Sequence, residues 1–268
     1  MACYASPDAI PALEDAPGTS IDQPVPDALT LAVHDVVVHT PTSRILTLAL
    51  DDIPFHYRAG QSVILGRHGQ PDRRPYSIAS APTDAARTRV LEFLLRADHH
   101  GLLGRHLDAV APGTRIDVEG PFGDFTLPEV LADAPLLFVA GGTGIAPLRA
   151  MARDAAQRGH HAPMDVLYSV RSADDVAYAD EWVRWVAEGR GRLALTVTRG
   201  VETAGTRGGN GTPGTFTGRI DRARLAPFVR HVPDVHCFVC GPPGFVDDIE
   251  HALSQLGVSA ERIRREGW

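Results

Sequence analysis

Leu136-Leu137-Phe138-Val139-Ala140-Gly141-Gly142-Thr143-Gly144-Ile145-Ala146-Pro147 is the stretch that decides how the chain is read. An apolar run of strand length stops at three glycines within four residues, and Pro147 opens an Ala- and Arg-rich segment with helical spacing. The pattern predicts strand, tight loop and helix. Such a loop leaves backbone N–H groups uncovered by side chains at the positive end of a helix, where a diphosphate is well placed. Pro147 stands where the general dinucleotide fingerprint has its third Gly or Ala. Taken alone, the segment therefore also reads as an ordinary glycine turn.

Outward from this stretch the texture differs on the two sides. After Asp133, strands alternate with helices: Leu136 to Ala140, the helix Ile145 to Gln157, Met164 to Val170, a helix from about Asp175 to Ala187, Leu193 to Thr198, Val235 to Val239, a helix near Phe245 to Leu256 and a short strand near Ile263. Such alternation predicts a parallel sheet covered on both faces. Before it, short β-branched and apolar runs (Leu31 to His39, Ile45 to Leu50, Gln61 to Leu65, Arg89 to Arg96, Arg115 to Glu119) are separated by turn formers such as Ala59-Gly60 and Pro112-Gly113. These predict an antiparallel barrel or sandwich, interrupted by a helix over Leu102 to Val110. The expected organisation is a disordered tail over 1–27, a barrel domain over 28–132 and an α/β domain over 133–268. The Gly/Thr-rich stretch from Gly200 to Gly218 has no apolar face and is expected to be a surface loop.

Composition narrows the function. A formal net charge of −7 argues against broad nucleic-acid binding. All 26 basic residues are arginine, so an Arg in a phosphate site says less than usual about a need for its fork. The cysteines, Cys3, Cys237 and Cys240, are too few for a disulfide framework or for a four-cysteine iron–sulfur cluster. No basic residue precedes Arg44 and no apolar stretch resembles a signal core or membrane span, so a cytoplasmic location without membrane insertion is expected. Cys237-x-x-Cys240 reads as a buried strand end or, with no second cysteine pair, much less readily as a zinc or redox pair. His99-His100 and His160-His161 lack a carboxylate at ligand spacing and are assigned to loops, so no metal is expected.

Arg74-Pro75-Tyr76-Ser77 puts a cation, an aromatic with a polar tip and a hydroxyl on one predicted strand. That set suits a flavin, with Arg on diphosphate, Tyr on the ring system and Ser on a ring nitrogen, although an unremarkable strand has the same look. Together with Gly120-Pro121-Phe122-Gly123, the glycine stretch Gly141 to Pro147 and Cys240-Gly241-Pro242-Pro243-Gly244, it stands in the order and rough spacing of the ferredoxin–NADP reductase family. Over residues 28–268 the chain resembles that family.

The resemblance implies a flavin-binding antiparallel β-barrel followed by a nicotinamide-nucleotide-binding parallel sheet, and an enzyme passing a hydride from NADPH to bound FAD. It implies that Arg74 contacts the flavin phosphate, that Tyr76, with Pro75, lies against the isoalloxazine, and that Ser77 approaches N5. Gly142, Thr143, Gly144 and Pro147 would hold the nucleotide diphosphate. Cys240, with Gly241 and Pro242, would lie beside the nicotinamide, Glu266 near the flavin, and Trp268 over its ring. The segment Gly101, Leu102, Leu103, Gly104 departs from the family, which commonly has a Ser or Thr where Gly104 stands. Its backbone N–H groups at a helix start would then serve the flavin phosphates, with FAD favoured over FMN. Ser169, Arg171 and Arg199 resemble positions that bind a 2′-phosphate, which favours NADPH, NADH being possible. The expected acceptor is a ferredoxin, a flavodoxin or another redox protein, met by Arg67, Arg73, Arg105, Arg262, Arg264 and Arg265 or, equally, by no such patch. The alternatives are a reductase of diffusible molecules such as free flavin or ferric chelates, and a non-catalytic electron-transfer subunit.

Overall fold

The computed structural model describes residues 28–97, 100–107, 109–130, 133–199, 214–229 and 234–268. The expected 1–27 tail, His99 and the larger part of the Gly200 to Gly218 loop lie outside these residues.

Six antiparallel strands come first: β1 (Leu29–Thr40), β2 (Ser43–Ala49), β3 (Ser62–Arg67), β4 (Arg74–Ser77), β5 (Val90–Arg96) and β6 (Arg115–Phe122). Their order is β4-β3-β6-β1-β2-β5. The edges meet just beyond β4, where Ile78 bridges Phe93 and the Ala79 N–H donates to the Glu92 carbonyl at 2.8 Å. The sheet therefore closes into a barrel at this point. Leu46, Leu48, Val63, Leu65, Ile78, Leu91, Phe93 and Leu95 fill it, all fully buried, as the alternation along each strand requires.

The barrel also holds a helix, α1 (Pro82–Thr88), between β4 and β5. It begins with Pro82 in its first turn and Asp84 close behind, both start signals, and ends at Arg89 in the left-handed region with φ 59°. Among the described residues, the helix expected over Leu102 to Val110 is not formed. A single 3-10 turn, Arg105–Leu107, stands there. Gly101 (φ 77°) and Ala109 (φ 51°) on either side hold left-handed backbone that no α-helix continues through.

The second half holds β7 (Leu136–Gly141), α2 (Ile145–Gln157), β8 (Met164–Val170), α3 (Ala179–Ala187), β9 (Leu193–Val197), β10 (Gly214–Thr217), α4 (Arg222–Val229), β11 (His236–Gly241), α5 (Pro243–Gln255) and β12 (Ile263–Gly267). All pairings are parallel, in the order β10-β9-β8-β7-β11-β12. β7 explains the apolar run: Leu136, Phe138 and Ala140 face α2 and α3, whereas Leu137 and Val139 face α4 and α5. A strand buried on both faces has no polar alternation. β10 corrects the loop expected up to Gly218: Thr215, Phe216 and Thr217 are strand formers that extend the sheet beside β9. The helix α4 is a further addition to the expected elements, and Asp221 caps it by accepting the Arg224 N–H at 2.9 Å.

Candidate flavin and nucleotide site

The sheet order reverses between β7 and β11, the crevice where open parallel sheets take ligands. The glycine loop follows β7 and the Cys240 loop follows β11, so both flank this point. Each glycine has its own reason. Gly142 has φ 57° and its missing Cβ would meet nothing within 4 Å, leaving the loop tip open. Gly144 is buried, and a Cβ on it would stand 2.4 Å from the Cys240 carbonyl oxygen. Its lack of a side chain lets the loop press against β11. Pro147 lies in the first turn of α2, where its absent N–H leaves no bond unmade. The crowding lies at Gly144 and, more mildly, at Gly141, whose Cβ would stand 3.1 Å from the Phe245 ring, while the tip at Gly142 is open, so the loop fits a diphosphate on its N–H groups.

Strand register brings further residues to the same edge. Cys240 pairs with Glu266, Gly241 with Gly267, and Gly141 with Ser169. Ser77, from the end of β4 on the barrel, brings its hydroxyl close enough to the Glu266 carboxyl to favour its ionised form. A Cβ placed on Gly123, in the turn after β6, would lie 4.0 Å from Glu266 Oε1. Barrel strand, sheet and carboxyl-terminal strand thus converge on Ser77, Glu266 and Cys240. Burial pushes the Glu266 carboxyl up to about 7, against the opposing pull of the nearby Ser77 hydroxyl. Burial, and then the nearby Glu266 charge, raise the Cys240 thiol well above its ordinary value, so it stays neutral. Trp268 is about half exposed and donates its backbone N–H to the Gly241 carbonyl at 3.4 Å.

On the barrel side Arg74 is exposed and Tyr76 half-buried. Burial raises the Tyr76 hydroxyl to about 12. Its oxygen lies 2.6 Å from His106 Nε2, and the two rings stack at 5.6 Å and 19°. Burial, then Arg74, lower His106, which is therefore neutral near pH 7 and, with Nε2 unprotonated, can accept a hydrogen bond from the Tyr76 hydroxyl. His106 is a site residue that the sequence does not signal, because nothing in Arg105-His106-Leu107 shows that the 3-10 turn sets it beside Tyr76. A Cβ on Gly104 would stand 2.9 Å from that imidazole, and one on Gly101 would stand 2.2 Å from the Arg44 guanidinium. Leu102 is exposed. The segment Gly101 to Gly104 is a loop and not a helix start, which corrects the basis on which its N–H groups are expected to bind phosphate.

Ser169 lies near the end of β8 and is buried, while Arg171 and Arg199 are exposed just beyond β8 and β9. The Arg199 N–H donates to the Arg171 carbonyl at 2.8 Å, so the two arginines stand side by side. The six arginines considered for an acceptor are largely engaged elsewhere. Arg73 pairs with Asp117 and Glu119, Arg262 with Asp234, and Arg265 with Asp247 and Glu250, while Arg264 donates to the Thr126 carbonyl. Cys237 and Cys240 are free and buried, and among the described residues no group of three metal-ligating side chains occurs.

A closed barrel and a parallel sheet meeting at such a crevice define a two-domain flavin- and nicotinamide-nucleotide-dependent reductase. The oxidoreductase FAD-binding domain family matches residues 29–127, and the oxidoreductase NAD-binding domain family matches residues 138–251. Ferredoxin–NADP reductase B of Sorangium cellulosum is 31% identical over 81% of this chain and 88% of its own length. The reductase subunit of an aromatic O-demethylase from Amycolatopsis is 31% identical over 99% of this chain and 77% of its own. The crystal structure of an Amycolatopsis cytochrome P450 reductase superposes with a TM-score of 0.77 at 28% identity, over 90% of this chain and 69% of the other. The chain belongs to the ferredoxin–NADP reductase family and is an NAD(P)H-dependent flavoprotein reductase. Among the described residues no helix is long and apolar enough to cross a membrane.

Proposed function

We propose that the protein uses NADPH to reduce bound FAD and delivers the electrons to a separate ferredoxin- or flavodoxin-type protein. The observation that carries this reading is the convergence of Ser77, Glu266 and Cys240, one residue from the barrel and one from each of two sheet strands. FAD, when bound, accepts a hydride and releases its electrons one at a time. Arg74 and Tyr76 would hold it, with His106 fixing the Tyr76 hydroxyl. Gly142 and Thr143 would hold the nucleotide diphosphate, and Cys240 would face the nicotinamide as a small, uncharged surface. Ser77 and Glu266 orient one another, and Glu266, with its carboxyl near 7, can hold or release a proton at Oε1 or Oε2 at working pH.

NADPH is favoured over NADH by the adjacent exposed Arg171 and Arg199, two cations at the edge where an adenosine 2′-phosphate would lie. A protein acceptor is favoured by the likeness to a ferredoxin–NADP reductase along most of both chains. The test is anaerobic NADPH-driven reduction of a ferredoxin, compared with free flavin. Fast ferredoxin reduction that slows with added salt is expected. Equally fast reduction of free flavin, unaffected by any protein acceptor, would replace this reading with that of a small-molecule reductase.

A further inference from the structure

The proposed flavin strand and nucleotide loop belong to different sheets, yet one side chain ties their supports together. Arg149 stands on α2 two residues after Pro147 and is only 9% exposed. Its Nη1 donates to the Ala79 carbonyl and to Glu92 Oε1, both at 2.9 Å, and its Nε donates to Glu181 Oε2 at 2.7 Å. Ala79 follows Ser77 by two residues, and Glu92 lies opposite it on β5. One guanidinium therefore spans the distance from the start of the nucleotide-loop helix to the end of the flavin strand.

The surroundings keep that guanidinium in place. The Tyr178 ring lies 4.1 Å beneath it, and the Tyr178 hydroxyl donates to Glu92 Oε1 at 2.9 Å. The Tyr178 N–H donates to His39 Nε2 of β1 at 2.8 Å. One turn along α2, Arg153 donates to Asp84 of α1 at 2.6 Å and to Glu181 at 2.9 Å. Burial opposes the Arg149 charge, and Tyr178, Glu92 and Glu181 outweigh it. Apolar packing, which also joins the two halves through Ala59, Ala79, Leu94 and Met151, carries less desolvation cost than a buried ion pair. A planar fork with fixed donor directions does what apolar packing does not, which is to set the register of one surface on the other.

We propose that Arg149 is a positioning residue for the reaction: it fixes the nucleotide loop relative to the flavin strand while contributing to neither binding site. This rests on the assignment of Arg74 to Ser77 to flavin and of Gly141 to Pro147 to the nucleotide. The variant of choice is Arg149→Lys, which keeps the charge but replaces the fork with a point donor that cannot hold Ala79, Glu92 and Glu181 together. Glu92→Gln is the second variant, removing one charge while retaining an oxygen that accepts from Arg149.

Four readouts on the FAD-loaded protein test the proposal: FAD affinity by flavin fluorescence, NADP+ affinity by difference absorbance, hydrogen exchange of the Ala79–Ser80 and Tyr178 amides, and single-turnover flavin reduction across NADPH concentrations. For Arg149→Lys both affinities should stay within about threefold, the amides should exchange faster, and the limiting reduction rate should fall by about tenfold or more without a matching rise in the half-saturating NADPH concentration. Glu92→Gln should give a smaller fall in the same direction, and it carries the test alone if Arg149→Lys does not fold. A folded variant with an unchanged limiting rate would overturn the proposal, as would one whose slower rate is matched by lost FAD or NADP+ affinity. Failure of the underlying assignment looks different: Tyr76→Ala and Gly142→Val would then leave FAD and NADP+ affinities unchanged.

Discussion

Gly101 and Gly104 in the barrel precede a single 3-10 turn, whereas Gly141, Gly142 and Gly144 precede the thirteen residues of α2. Both segments place closely spaced glycines ahead of a helical turn, Gly101-Leu102-Leu103-Gly104 in one and Gly141-Gly142-Thr143-Gly144 in the other. They differ in what the missing side chains leave room for. Gly144 admits the backbone of β11, which nothing can move aside, while Gly104 admits the imidazole of His106, a side chain with torsional freedom. The comparison teaches that a glycine held by backbone builds a rigid ligand edge, and one held by a side chain builds an adjustable support beside Tyr76.

The largest expected effect breaks or confirms that contrast directly. Gly144→Ala forces a Cβ to 2.4 Å from the Cys240 carbonyl and should cost about 3 kcal/mol or more, at the upper end for overpacking, with loss of NADPH-driven flavin reduction. Gly104→Ala should cost about 1 kcal/mol, because His106 can turn away. Thermal denaturation of the two variants side by side measures this; equal losses would show that the two segments are not different in kind.

Next in size is Tyr76→Ala, which removes the half-buried ring that the flavin would cover. FAD affinity should fall about 100-fold, read as released flavin fluorescence, with the fold retained. Smaller again, Arg171→Ala and Arg199→Ala should each raise the KM for NADPH about tenfold, as loss of a charge-assisted phosphate contact does, and leave the KM for NADH unchanged. Similar changes with both nucleotides would remove these arginines from the 2′-phosphate reading.

The parallel half is the more legible in sequence, and the physical reason is visible in β7 and α2. Continuous apolar runs buried on both faces, and a helix whose bounds match the expected Ile145 to Gln157, announce themselves through periodicity. The barrel loops announce less. The turn at Arg105–Leu107 follows a loop in which Gly101 holds φ 77°, and the Tyr76–His106 bond spans 30 residues. α1 carries start signals in Pro82 and Asp84, but its seven residues between two strands are too few for a helical period to stand out. α4 carries Pro227 in its interior, which masks a helix that its Asp221 cap announces. Arg149 is invisible in sequence as an interdomain tie, since its partners come from positions 79, 92 and 181.

The smallest expected effect concerns pH. Glu266 is held near 7 in the folded chain, above the ordinary glutamate value of about 4.3. Between those values the folded chain keeps a proton that the unfolded chain has lost. Its contribution to stability is therefore fully present below about 4.3 and is lost as pH rises through about 7. Glu266→Gln should flatten that part of the stability profile and remove an inflection near pH 7 from the rate of flavin reduction. A profile unchanged by the substitution would take Glu266 out of the site.

The most direct test of the central claim, that barrel and sheet together form a flavin site reducible by nicotinamide nucleotide, is an anaerobic visible spectrum of the purified protein before and after adding NADPH. The protein should show flavin absorbance that NADPH bleaches, with NADH less effective. A colourless protein that takes up no FAD, or a yellow one that neither nucleotide bleaches, would contradict it.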